Sequence, residues 1–203
     1  MILSGLTLLP SGECLLEIDG KRAASLDFPK VQELGLSEGM ELPRELWEEI
    51  MALSDLRAAR ESAFRSLAHA DFSEAGLTRR LREKGVRPED AARAVQELTE
   101  KGYLSDRNFA ERMVRVYRDE RCFGPRRVRE ELYRRGVPRE LIDELLEGSR
   151  YDIDGYCEKK FRSLPRDEKG RRKASAALQR AGYGYEEIRG ALARLFDGAD
   201  DFE

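Results

Sequence analysis

A leucine followed four residues later by a glycine occurs three times in this sequence, each time between two stretches of helical periodicity. The copies are Leu81–Gly85, Leu132–Gly136 and Leu178–Gly182, so the glycines are 51 and 46 residues apart. A motif that returns at such an interval indicates an internal repeat, and glycine suits the left-handed position that closes a helix. We therefore predict three tandem three-helix units. Each unit buries little core alone, so neighbouring units should stack.

The middle unit has the clearest pattern. Ser105 or Asp106 can cap its first helix, and Gly124-Pro125 separates that helix from the second. Gly136 closes the second helix and Pro138 opens the third. The residues expected to face inward, spaced as one side of a helix, are Phe109, Met113, Val116, Tyr117, Val128, Leu132, Tyr133, Leu141, Ile142, Leu145 and Leu146.

The N-terminal stretch has the character of strands instead. Asp19-Gly20 separates two short runs, residues 13–18 and 21–26, and Asp-Gly between such runs is a strong hairpin signal. Leu6–Leu9 can add a third strand. A hairpin alone is marginally stable, so this sheet should pack on the first helices.

The first helix is predicted to open at Pro43 and to run to His69, unless Ser54-Asp55 caps a separate helix. Trp47 is expected to anchor the packing between sheet and helices, with partner binding as its less favoured role. The residues expected on the inward side of this helix are Leu46, Ile50, Leu53, Leu56, Ala63, Phe64 and Leu67.

These patterns predict a mostly α fold, a tandem array of three three-helix units with a small N-terminal β-hairpin or sheet. The predicted domains are the hairpin segment (1–45), the first unit (46–103), the second unit (104–148), the third unit (149–197) and an acidic tail (198–203).

The sequence carries no catalytic constellation. Its one histidine, His69, lies on the polar run before Asp71 and is expected at the surface. A general base needs both a partner and a cleft, and neither is evident. No phosphate-binding glycine loop or metal-ligand spacing is present. We therefore predict no enzymatic activity, no cofactor and no metal. No run of 18 apolar residues occurs, the N-terminus lacks the basic flank of a signal peptide, and three scattered cysteines fit a reducing cytoplasm.

Charge is unevenly distributed, although the net charge is only −3. Residues 1–50 hold 4 basic and 10 acidic side chains, residues 107–135 hold 10 arginines and 5 acids, and residues 159–173 hold 8 basic and 2 acidic side chains. The candidate binding residues are Arg112, Arg115, Arg126, Arg127, Arg129, Arg134, Arg135, Arg171, Arg172 and Lys173.

Arginine can pair with carboxylates or with phosphates, so acidic protein surface and nucleic-acid backbone compete as partners. Simple solvation of charged helices is the default for any single arginine. The helix after Gly85 opens with Pro88, Glu89 and Asp90. These acids would face phosphate with the wrong sign, which argues against sequence-specific DNA reading.

The order of these motifs resembles the RecX family of RecA regulators. The resemblance rests on Leu81–Gly85, on the segment Gly102–Ala110, and on Leu132–Val137 and Leu178–Tyr183. It covers roughly residues 52–196. One departure is Gly76, where the family has a larger residue; glycine inside a helix costs about 1 kcal/mol, so that helix is expected to start late or to be mobile.

The resemblance implies an elongated, curved helical protein that binds the RecA–single-stranded-DNA filament along its groove. Such proteins usually inhibit RecA, lowering ATP hydrolysis, strand exchange and filament extension, in DNA repair by homologous recombination. The alternatives are a non-specific DNA-binding helical module independent of RecA, and a helical scaffold for an unrelated partner. Nothing in the sequence demands a dimer, so a monomer is expected.

Overall fold

The computed structural model of the chain describes residues 1–196. The strands are β1 (Leu3–Leu8), β2 (Glu13–Ile18) and β3 (Lys21–Asp27). The helices are α1 (Phe28–Glu33), α2 (Arg44–Leu67), α3 (Glu74–Glu83), α4 (Pro88–Glu100), α5 (Asp106–Arg115), α6 (Pro125–Arg134), α7 (Arg139–Leu146), α8 (Ile153–Phe161), α9 (Glu168–Arg180) and α10 (Tyr185–Phe196). The predicted mostly helical fold with a small N-terminal sheet is confirmed. The predicted acidic tail, 198–203, lies outside the described residues.

The chain forms two compact parts. One contains Met1–Ala70 and Leu77–Leu104, and the other contains Asp71–Gly76 and the described chain from Ser105 onward. The five domain boundaries given above stay a prediction.

In the first part, the strands form one antiparallel sheet in the order β1-β2-β3. Asp19 and Gly20 make the turn between β2 and β3 with φ angles of 49° and 78°, the positive values that the Asp-Gly signal implies. Buried Leu16 and Leu26 share a core with Ile50 on α2. The sheet therefore packs on the first long helix, as expected.

Ion pairs hold α2 to the sheet as well. The Arg57 side chain is only 12% exposed and pairs with Glu13 at 2.9 Å and Asp27 at 3.0 Å. Breaking such a shielded pair costs more than breaking a surface pair. Ser54 does not cap a separate helix, because its hydroxyl accepts a hydrogen bond from the Ser25 amide at 3.0 Å. Trp47 is partly buried against the core of the sheet.

Phe64 contradicts the expected inward face of α2. It is 45% exposed, and its ring packs edge-on against exposed Tyr103 with centroids 5.3 Å apart. The neighbouring Ala63 is fully buried and takes the inward position. Successive helical residues point about 100° apart, and here the helix buries Ala63 and leaves Phe64 at the surface.

The second part contains two cores of similar construction. Phe109, Val128, Leu132 and Ile142 belong to the core of α5–α7. Leu178 belongs to a corresponding core made by α8–α10. Tyr151, in the connection between α7 and α8, packs against both.

Two expectations for these helices are wrong. Tyr133 was expected inward but is 56% exposed, because Leu132 beside it occupies the core. Gly76 does not delay α3, which begins at Glu74, so the expected late start is wrong; the alternative, a mobile helix, stays a prediction. The Ser73 hydroxyl accepts the Gly76 amide hydrogen at 2.9 Å and caps the helix, which is the ordinary role of serine at a helix start.

The three repeated glycines share one backbone conformation. Gly85, Gly136 and Gly182 have φ angles of 86°, 86° and 90°, in the region where residues with a side chain are strained. The motif therefore marks the same left-handed turn three times, as the sequence repeat predicted. We call these three segments the glycine turns.

Candidate functional site

Helices α5, α6 and α9 carry the predicted binding residues. α5 begins at Ser105, whose hydroxyl accepts the Asn108 amide hydrogen at 3.3 Å. It continues beyond Arg115 in a π-helical turn, Val116–Glu120, a wider winding that often occurs at functional positions. α6 opens with Pro125 at its first turn, as predicted.

Half of the ten candidates form ion pairs with acids of the same compact part. The pairs are Arg112–Asp71, Arg127–Glu131, Arg129–Asp143, Arg134–Glu131 and Arg172–Glu168. These side chains are 37–79% exposed on the arginine side, so solvent screens each pair and its contribution to stability is at most about 1 kcal/mol. A partner could compete for these guanidinium groups, but only by displacing an acid.

Two candidates, Arg127 and Arg135, make contacts that hold neighbouring helices together. The Arg127 guanidinium lies over the Phe123 ring, 5.1 Å from its centroid, and donates to the Arg180 carbonyl at 3.4 Å. Arg135 donates from Nε to the hydroxyl of buried Tyr117 at 2.6 Å. These contacts bind α6 to its neighbours, which makes both residues poor choices for a test of partner binding.

Three exposed candidates form no side-chain hydrogen bond or ion pair among residues 1–196: Arg115, Arg126 and Lys173. Arg115 contributes only a longer-range attraction to Asp119. Arg171 is half-buried at the start of α9. The unpaired cations are the side chains most available to an acidic protein surface or to phosphate, since no internal acid must be displaced first.

An exposed aromatic residue adds a feature that the sequence reasoning missed. Tyr133 lies beneath the Arg139 guanidinium, 5.1 Å from the ring centroid, and lines a groove of about 350 Å³ with Arg129 and Asp143. An exposed ring next to cationic groups can stack with a nucleic-acid base. No clear signal for it was available in the sequence, because adjacent helical residues can both be buried, as Phe109 and Ala110 are.

A charged pair lies on the π-helical turn. Arg118 donates to Asp119 at 2.7 Å, and this hydrogen bond together with the positive charge lowers the pKa of the Asp119 carboxyl. At this turn, therefore, the positive charge of Arg118 is balanced by its neighbour Asp119.

The described residues hold no cluster of three histidine, cysteine or acidic side chains that could ligate a metal ion. His69 is exposed, as expected. Over the same residues, no helix combines the length and apolar character needed to cross a bilayer.

Comparison with known proteins identifies the family. Models of the first and second three-helix domains of RecX match residues 59–98 and 105–146. The Regulatory protein RecX of Trichlorobacter lovleyi is 37% identical over 63% of this chain and 89% of its own length. That of Chromohalobacter salexigens is 37% identical over 68% of this chain and 93% of its own length. The chain belongs to the RecX family.

Solved structures agree on the fold of this RecX-family chain. The crystal structure of a regulatory protein RecX superposes with a TM-score of 0.71 at 19% identity, covering 93% of this chain and 98% of that one. RecX from Lactobacillus salivarius gives 0.57 at 16% identity, over 70% of this chain and 96% of the other. The resemblance inferred from the repeated motifs is therefore confirmed at the level of family and fold.

Proposed function

We propose that this RecX-family chain modulates RecA, in the usual case as an inhibitor, by binding the RecA–single-stranded-DNA filament along its groove. Bound there, it lowers ATP hydrolysis and strand exchange and hinders filament extension. Family membership is the observation that carries this proposal. The three cysteines form no disulfide with one another, which supports action in the cytoplasm, where thiols stay reduced; they are Cys14, Cys122 and Cys157.

The unpaired cations supply the chemistry of the contact. Arg115, Arg126 and Lys173 can approach acidic RecA surface or DNA phosphate without breaking an internal pair. Separate weak contacts on successive RecA subunits reinforce one another, because each contact raises the effective concentration for the next. The binding is therefore expected to be spread over the surface and not concentrated in one pocket.

The decisive experiment is a titration of RecA's single-stranded-DNA-dependent ATP hydrolysis with this protein at less than one copy per RecA subunit. A fall in hydrolysis at sub-stoichiometric amounts is expected, since one bound copy affects several subunits or a filament end. No fall, or a fall only when enough protein is present to cover the DNA, would reject RecA modulation.

The groove at Tyr133 favours a second candidate, non-specific binding of DNA without RecA. The exposed ring and its neighbour Arg139 can stack with a base, an interaction worth about 1–3 kcal/mol per base. If about six phosphates of single-stranded DNA are contacted, log K should fall with log salt at a slope near −4. A flatter slope together with RecA inhibition would favour the protein contact, and Tyr133→Ala should weaken binding only in the DNA reading.

A further inference from the structure

The end of the π-helical turn and helix α8 enclose a cavity of about 530 Å³. Residues 120–123 form one wall, and Tyr156, Lys159 and Lys160 of α8 form the other. We call it the α8 cavity. It shares no residue with the groove at Tyr133 and none with the cations assigned above to partner contact, so neither of the functions proposed above accounts for it.

Three cations line the α8 cavity against a single acid, Glu120. Arg121 packs on the ring of Tyr117, 5.8 Å from its centroid, and Lys159 lies 3.8 Å from the sulfur of Cys122. Neither contact brings a carboxylate to these side chains, and Lys160 forms no ion pair or side-chain hydrogen bond within residues 1–196. Like charges that converge repel one another, and a bound anion would remove this cost.

The walls of the α8 cavity are held in place by the fold. The Tyr183 hydroxyl donates to the Cys122 carbonyl at 3.1 Å, and the Phe123 amide donates to the Tyr117 carbonyl at 2.8 Å. The Phe123 ring also stacks on the Tyr117 ring, with centroids 5.9 Å apart. A ligand would therefore enter a preformed site and lose little free energy in ordering it.

The size and the lining of the α8 cavity indicate the class of ligand. Its volume lies within the range of sites for small organic molecules, about 300–1,000 Å³, which is larger than a bare phosphate ion needs. The half-buried rings of Phe123 and Tyr156 add an apolar wall beside the cations. Cations suit phosphate oxygens, and aromatic side chains suit the flat ring of a base.

We propose that the α8 cavity binds a nucleotide, with its phosphate on Arg121, Lys159 and Lys160 and its base against Phe123 and Tyr156. A free nucleotide and one unit of a single strand carry this same chemistry, and the experiment below distinguishes them. The proposal does not depend on the action on RecA, because no RecA is present in the test.

Cys122 provides a reporter inside the cavity. Cys14 is fully buried and Cys157 is 3% exposed, and burial raises the pKa of the Cys157 thiol to about 11. Cys122 is half-buried, so neutral iodoacetamide should alkylate it first. A nucleotide at ten times its dissociation constant should slow this alkylation about tenfold, because only the empty protein reacts.

Binding is measured by calorimetric titration of the full chain at low salt, with ADP in one arm and a short oligothymidine strand in the other. A dissociation constant below about 1 mM is expected in at least one arm. Lys160→Gln should raise it about tenfold, because a charged contact to phosphate is lost. The matched control is Lys169→Gln, which removes an exposed lysine of α9 outside the cavity and should leave the affinity unchanged.

The two arms separate the two sources of the nucleotide. Protection of Cys122 by ADP would identify a free nucleotide, and protection by the strand alone would identify a unit of single-stranded nucleic acid; each outcome supports the site. No binding in either arm up to about 1 mM, binding that leaves Cys122 fully reactive, or equal losses in Lys160→Gln and Lys169→Gln would overturn it. The lysines would then serve only to complement the dipole at the C-terminal end of α8.

Discussion

At the scale of single residues, burial separates neighbours that the sequence could not tell apart. Leu132 and Tyr133 were both expected inward, yet Leu132 is fully buried and Tyr133 is 56% exposed. Leu132→Ala should lower the free energy of unfolding by about 2–5 kcal/mol, since it removes buried methyl groups and leaves a cavity. Urea unfolding measures this loss.

Tyr133→Ala is the matched control for that substitution. Its loss should stay below about 1 kcal/mol, because only an exposed ring with one cationic neighbour is removed. Equal losses for the two variants would mean that the two side chains are buried alike.

The carboxyl of Asp106 should make the free energy of unfolding depend on pH. Burial raises the pKa of its carboxyl, and the hydrogen bond from the Glu74 amide, at 2.7 Å, lowers it in part. With a folded pKa above the unfolded value, about 3.9, the folded state binds the proton more tightly. Asp106 therefore stabilises the folded state below a pH of about 4, and this contribution is lost as the pH rises through its folded pKa.

Asp106→Asn removes this titration. The stability of the variant relative to wild type should increase between about pH 4 and neutral pH, as measured by urea unfolding at a series of pH values. A difference that does not change with pH would contradict the raised pKa. Because the prediction concerns how the difference between variant and wild type changes with pH, any pH-independent effect of the amide drops out.

At the scale of elements, the glycine turns allow the free-energy cost of backbone strain to be measured apart from the cost of overpacking. Gly85 and Gly136 share a φ of 86°, but only Gly136 faces a close neighbour, the Ala75 Cβ. Gly85→Ala should cost about 1–2 kcal/mol from strain alone. Gly136→Ala should cost about 1–3 kcal/mol more, because the added methyl overpacks the contact with Ala75. Equal costs in chemical unfolding would show that this contact relaxes without loss of stability.

The elements also show how far sequence reasoning reaches. The Asp19-Gly20 turn and the glycine turns were predictable because each needs a positive φ that few residues adopt. Helix α2 was ambiguous at Ser54, because a serine that can cap a helix can also bond to a strand, here at Ser25. The partners of Arg127 and Arg135 could not be predicted, since the carbonyl of Arg180 and the hydroxyl of Tyr117 are brought to them only by packing.

At the scale of the whole molecule, pairing within the chain decides which cations are available to a partner. The sequence indicated an arginine surface, but in the structure half of the candidates form ion pairs with acids of the same chain. Arg127 also packs on the Phe123 ring. Among the described residues, no ion pair or side-chain hydrogen bond engages Arg115, Arg126 or Lys173. Partner binding should therefore depend on these three more than on the larger set.

Replacing Arg115, Arg126 and Lys173 together by Glu should weaken the proposed inhibition of RecA ATP hydrolysis by about tenfold or more, since three attractive contacts become repulsive. The matched control replaces Arg79, Arg82 and Arg93 by Glu. These are exposed cations of the other compact part, also unpaired within residues 1–196, and their replacement changes the net charge equally. Both variants should unfold at similar urea concentrations, because no described ion pair is broken. If the control loses as much inhibition as the test variant, net charge governs the interaction and these three side chains are not its site.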